Sequence, residues 1–133
     1  MKKNKFKILV VDDQPGLRYL MEVILRETGH QTQTAENGLD ALEKARHFKP
    51  DLVFMDIRMP VMDGLEALGK IKIMLPNTEV IMMTANSTED SFSTAMQKGA
   101  FKCMAKPFDV EDIRKTIDEF IWEKEKTSDT FAL

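Results

Sequence analysis

The stretch Asp51-Leu52-Val53-Phe54-Met55-Asp56 decides the fold prediction, because four apolar residues in it run directly into a carboxylate. Two other stretches have the same form: ILVV at residues 8–11 precedes Asp12, and VIMM at residues 80–83 precedes Thr84. Strands buried on both faces of a parallel sheet read as such continuous apolar runs. The runs are far too short to span a bilayer. They therefore predict three central strands of a soluble domain.

Segments with helical periodicity separate these strands. After the first strand, apolar residues recur at the spacing of one helical face, namely Leu17, Leu20, Met21, Ile24 and Leu25. Two weaker strands are predicted at residues 31–35 and 101–105, and Asp109 is the predicted N-cap of a last helix. The alternation predicts five β–α units. The predicted fold class is α/β, with a doubly wound five-stranded parallel sheet in the order 2-1-3-4-5.

Length and charge limit the function classes. The chain has 133 residues, with 19 basic and 22 acidic side chains and a formal net charge of −3. We place one domain at residues 5–124 and expect residues 125–133 to form a flexible tail. A net anion has no broad attraction for nucleic acid or anionic lipid, so neither is a predicted partner. Cys103 is the only cysteine, which rules out an internal disulfide. We expect a cytoplasmic monomer in which His30 and His47 face solvent.

Polar side chains follow four of the five predicted strands. Asp12 and Asp13 follow the first strand, Asp56 ends the third, Thr84 ends the fourth, and Lys106 follows the fifth. In this strand order the first and third strands are neighbours at the switch point, where ligands bind outside the carboxyl ends of the strands. Each residue alone has an ordinary interpretation as a turn, cap or surface residue. Their joint placement at strand ends predicts one shared crevice.

The crevice would bring three carboxylates together. Two carboxylates about 5 Å apart repel by roughly 3 kcal/mol at an effective dielectric near 20, so three need a cation. Hard carboxylate oxygens without nearby histidine or cysteine favour Mg²⁺. An aspartate can accept a phosphoryl group as an acyl phosphate, while an ammonium and a hydroxyl neutralise the charge on that group. The residues therefore suggest Mg²⁺-dependent phosphoryl transfer.

Over roughly residues 5–124 the chain resembles a known family, the receiver domains of two-component response regulators. The resemblance implies the flavodoxin-like (βα)5 fold of that family. The stretches that carry it are weak singly and specific in this order and spacing: Ile8-Leu9-Val10-Val11-Asp12-Asp13, Pro50-Asp51-Leu52-Val53-Phe54-Met55-Asp56, Met59-Pro60-Val61-Met62-Asp63-Gly64, Thr84-Ala85, Gly99-Ala100 and Lys106-Pro107-Phe108.

The resemblance implies roles for the residues that react. Asp56 would accept a phosphoryl group from the phosphohistidine of a sensor histidine kinase, and Thr84 and Lys106 would contact that group. The chain would catalyse its own phosphorylation and dephosphorylation and would not be a conventional turnover enzyme. The bond between Lys106 and Pro107 is expected to be cis.

The resemblance also implies a metal site. Mg²⁺ would be bound directly by Asp13 and Asp56, through water by Asp12, and by the backbone carbonyl of Arg58. No other cofactor is expected.

Four further stretches narrow the resemblance: Val11-Asp12-Asp13-Gln14, Gly16-Leu17-Arg18, Gly29-His30-Gln31-Thr32 and Ala105-Lys106-Pro107-Phe108-Asp109. With them the chain looks most like the stand-alone receivers of sporulation phosphorelays, which pass the phosphoryl group to the histidine of a phosphotransferase. If this carries over, a surface beside the acidic crevice would receive that helical partner. Its residues would be Gln14, Gly16, Leu17, Leu20, Pro107 and Phe108. The other interpretation of Leu17 and Leu20 is that they belong to the core.

Other functions stay open at this stage. The chain could be the receiver portion of a longer regulator with a DNA-binding output domain. An aspartate-nucleophile phosphatase usually has a second acid two residues after the nucleophile, where this chain has Arg58. A flavin carrier of the same topology would suffer repulsion between its phosphate and the aspartates. One departure from the family concerns Cys103, which stands where many receivers have an aromatic switch residue, so that switch is in doubt.

Overall fold

The computed structural model describes residues 5–85 and 89–132. Five parallel strands form one sheet in the order β2-β1-β3-β4-β5, which confirms the predicted topology. The strands are β1 (Lys7–Val11), β2 (Gln31–Ala35), β3 (Leu52–Asp56), β4 (Glu79–Thr84) and β5 (Lys102–Ala105). The helices are α1 (Pro15–Glu27), α2 (Gly38–Phe48), α3 (Gly64–Met74), α4 (Glu89–Gln97) and α5 (Val110–Ala132).

The hydrophobic core has two layers, one on each face of the sheet. Alternate residues of a strand point to opposite faces, so Val53 and Met55 of β3 join one cluster while Leu52 and Phe54 join the other. The first cluster contains residues of α2, α3 and α4, and the second contains residues of α1 and α5. All five β3 residues are buried, as the uninterrupted apolar run predicts.

Local sequence signals fix where several helices begin. Asn37 caps α2 by accepting a hydrogen bond from the main-chain N–H of Asp40 at 2.8 Å. Asp109 and Asp112 form a reciprocal capping box at the start of α5, as the N-cap prediction at Asp109 anticipates. Such caps satisfy donors that have no partner within the helix.

The C-terminal segment is helical in the part that the structure describes. α5 continues through residues 125–132 and ends at Ala132, whereas the flexible tail expected at residues 125–133 stays a prediction. Residues 110–132 contain neither glycine nor proline, so nothing in the local sequence stops the helix. The division of the chain at residue 124 stays a prediction.

The prediction for His30 was wrong, because this side chain is only 5% exposed. Its Nδ1 accepts a hydrogen bond from the main-chain N–H of Phe6 at 3.1 Å. Gly29 adopts a φ of +92° after α1, which turns the chain back so that His30 enters the protein. Burial lowers the pKa of His30. His47 is exposed, as expected.

Candidate functional site

The sheet brings Asp12 and Asp56 to the same edge. β1 and β3 pair in parallel with Val11 opposite Met55, so the next residue of each strand is an aspartate at the carboxyl edge. Asp13 follows directly, and the three side chains offer oxygens that all lie within 4.8 Å of one another. Asp12 and Asp56 are buried, whereas Asp13 is exposed. The predicted carboxylate cluster is therefore present.

Lys106 reaches this cluster from the neighbouring strand end. Its Nζ donates to Asp12 Oδ2 at 2.7 Å and lies 3.4 Å from Asp56 Oδ2. Thr84 is buried and pairs with Ala105 across β4 and β5, and its carbonyl accepts a hydrogen bond from the Lys106 N–H at 2.8 Å. The bond from Lys106 to Pro107 is cis, as the family resemblance implied. The structure thus gathers the expected ammonium and carboxylates at one edge, with Thr84 at the end of the adjacent strand β4.

Within the cluster, the negative charge of Asp56 is disfavoured by its surroundings. Burial raises the pKa of Asp56, the nearby Asp12 carboxylate raises it further, and the Lys106 ammonium opposes both effects. Among the residues that the structure describes, one ammonium accompanies three carboxylates here, so negative charge is in excess. Oxygen donors in this arrangement fit a hard divalent cation such as Mg²⁺, which is usually held by one or two carboxylates together with waters and a phosphate.

Further contacts hold Asp12 in place, and sequence reasoning did not find them. The Gln14 main-chain N–H donates to Asp12 Oδ1 at 2.9 Å, and Arg18 Nη1 donates to the Asp12 carbonyl at 2.6 Å. The Asp12 N–H donates to the carbonyl of Ala35 at 3.1 Å. The sequence carries no separate signal for the Arg18 contact, because an arginine near a helix start is common on surfaces.

The loop after β3 passes close behind the cluster. Gly64 donates its N–H to the Ile57 carbonyl at 2.7 Å, and a Cβ added at Gly64 would overlap the Asp56 carbonyl. Only glycine therefore fits where α3 begins. Arg58 lies exposed in this loop, two residues after Asp56. The role of its backbone carbonyl as a metal ligand stays a prediction.

The residues predicted to form a docking surface overlap in part with a cleft that Lys106 also lines. Four of the six predicted residues line this cleft: Gln14, Leu17, Pro107 and Phe108. Ala85 and Lys106 complete its lining. Gly16 is exposed on the same helix, α1, and Leu20 is 45% exposed. The exposure of Leu20 argues against its interpretation as a core residue, whereas Leu17 is half-buried and packs against the core.

Cys103 lies on β5, three residues before Lys106, at the position where the family resemblance implied an aromatic switch residue. Its side chain is half-buried, and its Sγ donates to the Phe92 carbonyl of α4 across 3.9 Å. Burial raises the pKa of the Cys103 thiol, which keeps it protonated at neutral pH. A thiol is too small to swing between two positions as a large ring does.

Fold and site together define a class of protein. The chain belongs to the response regulator receiver domain family, whose pattern it matches over residues 8–118. It is 41% identical over 115 residues to sporulation initiation phosphotransferase F of Bacillus subtilis (strain 168), covering 86% of this chain and 93% of that protein. It is also 40% identical over 114 residues to the DNA-binding transcriptional regulator NtrC of Escherichia coli (strain K12), covering 86% of this chain but 24% of the regulator.

Solved structures support the same family. A CheY-like receiver domain protein from Methanospirillum hungatei JF-1 superposes with a TM-score of 0.87 at 28% identity, covering 91% of this chain and 97% of that one. The receiver domain of the sensor histidine kinase PA1611 from Pseudomonas aeruginosa PAO1 superposes with a TM-score of 0.79 at 28% identity, covering 88% and 98%. That second structure has a magnesium ion coordinated in its active-site cleft. No helix in the described part of the present chain is long and apolar enough to cross a membrane.

Proposed function

We propose that this receiver accepts a phosphoryl group on Asp56 from the phosphohistidine of a sensor histidine kinase and passes it to the histidine of a phosphotransferase. The observation that carries the proposal is the position of Lys106, whose ammonium lies between two buried aspartates at the sheet edge. The 41% identity to a sporulation phosphotransferase favours a relay in which this chain is an intermediate carrier. The domain at residues 5–124 would carry this activity.

The transfer uses a carboxylate oxygen of Asp56 as the nucleophile. That oxygen forms a bond to phosphorus while the bond from phosphorus to the kinase imidazole nitrogen breaks, and the electron pair stays on the imidazole. The product is an acyl phosphate, and attack by the imidazole of a phosphotransferase reverses the same step. The Lys106 ammonium, which lies 3.4 Å from Asp56 Oδ2, and the Thr84 hydroxyl, at the end of the neighbouring strand, would meet the phosphoryl oxygens as their charge is redistributed.

Mg²⁺ is the cofactor that the donor set fits. Asp12, Asp13 and Asp56 would hold it, together with the backbone carbonyl of Arg58. When bound, the ion supplies positive charge that offsets the carboxylates and the incoming phosphoryl group. Without it, Lys106 is the only ammonium that the described part of the chain places in ion-pair contact with Asp12 and Asp56.

The docking surface would receive the kinase and the phosphotransferase in turn. The cleft next to Lys106 carries apolar groups from α1 and from the loop after β5, so a helical bundle docked there would bring its histidine to the acidic edge. Leu20 extends this surface along α1.

Intact-mass spectrometry tests the proposed acceptor. Incubation with acetyl phosphate and Mg²⁺ should add one phosphoryl group to the wild-type chain, and EDTA should prevent this. Asp56→Asn should remove the adduct, whereas the exposed-residue control Asp118→Asn should keep it. An adduct of equal yield in Asp56→Asn would overturn the assignment, and so would a wild-type chain that neither acetyl phosphate nor any histidine kinase can label.

A second candidate function is supported by the NtrC relative, of which this chain spans 24%. The same receiver could belong to a longer regulator with a DNA-binding output domain. The mass of the native protein in cells distinguishes the two, since a mass near 15.2 kDa fits a separate receiver and a much larger mass fits a longer regulator.

A further inference from the structure

We infer that Arg18 is a positioning residue of the acidic pocket, where it holds the peptide between Asp12 and Asp13 in the orientation that divalent-cation binding requires. The inference rests on the proposed function, since it concerns the same pocket. Arg18 would touch neither the phosphoryl group nor the cation.

The contact lies just beyond the end of the sheet ladder. β1 ends at Val11, and the Asp12 N–H still donates to the carbonyl of Ala35 at 3.1 Å. The Asp12 carbonyl instead accepts a hydrogen bond from Arg18 Nη1 at 2.6 Å. A guanidinium is always protonated, and hydrogen bonds from a charged donor are shorter and stronger than neutral ones.

Arg18 is itself firmly placed. Its main-chain N–H donates to the Gln14 carbonyl at 3.1 Å in the first turn of α1, and its side chain is half-buried. The helix therefore fixes one end of the contact while the strand fixes the other. The guanidinium ties the start of α1 to the end of β1.

The position of the Asp13 carboxylate depends more on the hydrogen bond from Arg18 to the Asp12 carbonyl than the position of the Asp12 carboxylate does. The Asp12 carboxylate is held by the Gln14 N–H and by Lys106, whereas no hydrogen bond or ion pair holds the Asp13 carboxylate within residues 5–85 and 89–132. The Asp12 carbonyl and the Asp13 N–H belong to one planar peptide. Fixing that carbonyl therefore fixes the plane of the peptide from which Asp13 continues, which limits the positions that its side chain can reach.

Electrostatics and positioning predict opposite effects when Arg18 loses its charge. A positive charge near the pocket repels Mg²⁺, so by charge alone Arg18→Met should bind Mg²⁺ more tightly. If Arg18 positions the peptide, Arg18→Met should weaken Mg²⁺ binding about tenfold, as losses of groups that orient metal ligands do. Isothermal titration of the whole chain with MgCl₂ measures this directly. Arg26→Met is the matched control, since it removes an exposed charge from the other end of α1.

A second readout needs no metal. In EDTA, Arg18→Met should shift and broaden the amide NMR signal of Asp13, while Arg26→Met should leave it in place. Arg18→Gln is the alternative variant if urea unfolding shows that Arg18→Met is not folded. A folded Arg18 variant that binds Mg²⁺ as tightly as the wild-type chain or more tightly, and whose Asp13 amide signal is unchanged, would overturn the positioning role of Arg18. This result would leave the proposed function intact. Failure of the wild-type chain to bind Mg²⁺ would overturn the metal-dependent function and this inference with it.

Discussion

Lys106 Nζ donates a hydrogen bond to Asp12 Oδ2 at 2.7 Å, although 94 residues separate the two in the chain. The same ammonium lies 3.4 Å from Oδ2 of Asp56, the proposed phosphoryl acceptor. Its shorter contact is therefore to Asp12, which is not the acceptor. An acyl phosphate on Asp56 would offer this ammonium phosphoryl oxygens in addition to the Asp12 carboxylate. The position of Lys106 thus connects the resting pocket to its proposed phosphorylated form.

Asp13 is the carboxylate whose neutralisation should stabilise the metal-free protein. It is exposed and lies in a cluster that has excess negative charge, so Asp13→Asn removes repulsion without breaking any described hydrogen bond. We expect the melting temperature in EDTA to rise by about 3 °C. The stabilisation that Mg²⁺ gives the wild-type chain should shrink in this variant, because the cation binds only the folded pocket.

Asp118→Asn controls for the loss of a charge far from the cluster and should leave the effect of Mg²⁺ unchanged. A melt that Mg²⁺ does not affect, together with an Asp13→Asn variant less stable than wild type in EDTA, would contradict this account of the pocket.

Two glycines of α3 should respond oppositely to alanine. A methyl group at Gly64 would overlap the Asp56 carbonyl, so Gly64→Ala should destabilise the fold by about 3 kcal/mol or more. Gly69 lies within the same helix with nothing within 4 Å of an added Cβ, so Gly69→Ala should stabilise by about 0.8 kcal/mol. Urea unfolding measures both changes. Equal effects of the two substitutions would be incompatible with the close approach at Gly64.

His30 should make stability depend on pH. Burial lowers its pKa in the folded state, so the unfolded chain binds the proton more readily. The stabilisation that comes from burying a neutral His30 is fully present above pH 6.5, near the pKa of a histidine in the unfolded chain. It is lost as the pH falls through that value toward the lower pKa of His30 in the folded protein. One pH unit below 6.5 the loss is at most about 1.4 kcal/mol.

The measurement compares urea unfolding at pH 7.5 and pH 5.5. His30→Gln should reduce the difference between the two pH values, because glutamine does not titrate. His47→Gln, at an exposed position, should leave the difference as in wild type. The expectation fails if His47→Gln, and not His30→Gln, removes the dependence.

Leu20 should matter for partner proteins more than for a small phosphodonor. It is 45% exposed on α1, three residues after Leu17, which lines the cleft that contains Lys106, so Leu20→Lys puts a charge into the proposed docking surface. We expect the rate of phosphoryl transfer from a histidine kinase to fall about tenfold more than the rate with acetyl phosphate, which corresponds to about 1.4 kcal/mol.

Ile73 supplies the control, since it is 84% exposed on α3 and lies outside this surface. Ile73→Lys should change neither rate. Equal losses of both rates in Leu20→Lys would show that the substitution disturbs the pocket and would contradict a docking role.

The residues that stand at the carboxyl ends of the strands can be predicted from the amino-acid sequence alone. The apolar runs are local, so they predict that Asp12, Asp56 and Thr84 follow buried strands, and the parallel order then brings them to one edge. The resemblance of the Lys106-Pro107 motif to the family predicted that the peptide bond between these two residues is cis, as the structure has it. These features depend on near neighbours in the chain.

The contacts that those residues make with other side chains follow from the folded arrangement and not from the sequence pattern. The pairing of Lys106 with Asp12, the hold of Arg18 on the Asp12 carbonyl and the burial of His30 against Phe6 depend on register, helix placement and the packing of distant segments. A local pattern says which residue leaves a strand, but it does not say which side chain from another element meets it. Contacts between distant segments form only once the sheet and helices are packed together, so hydrophobic periodicity cannot encode them.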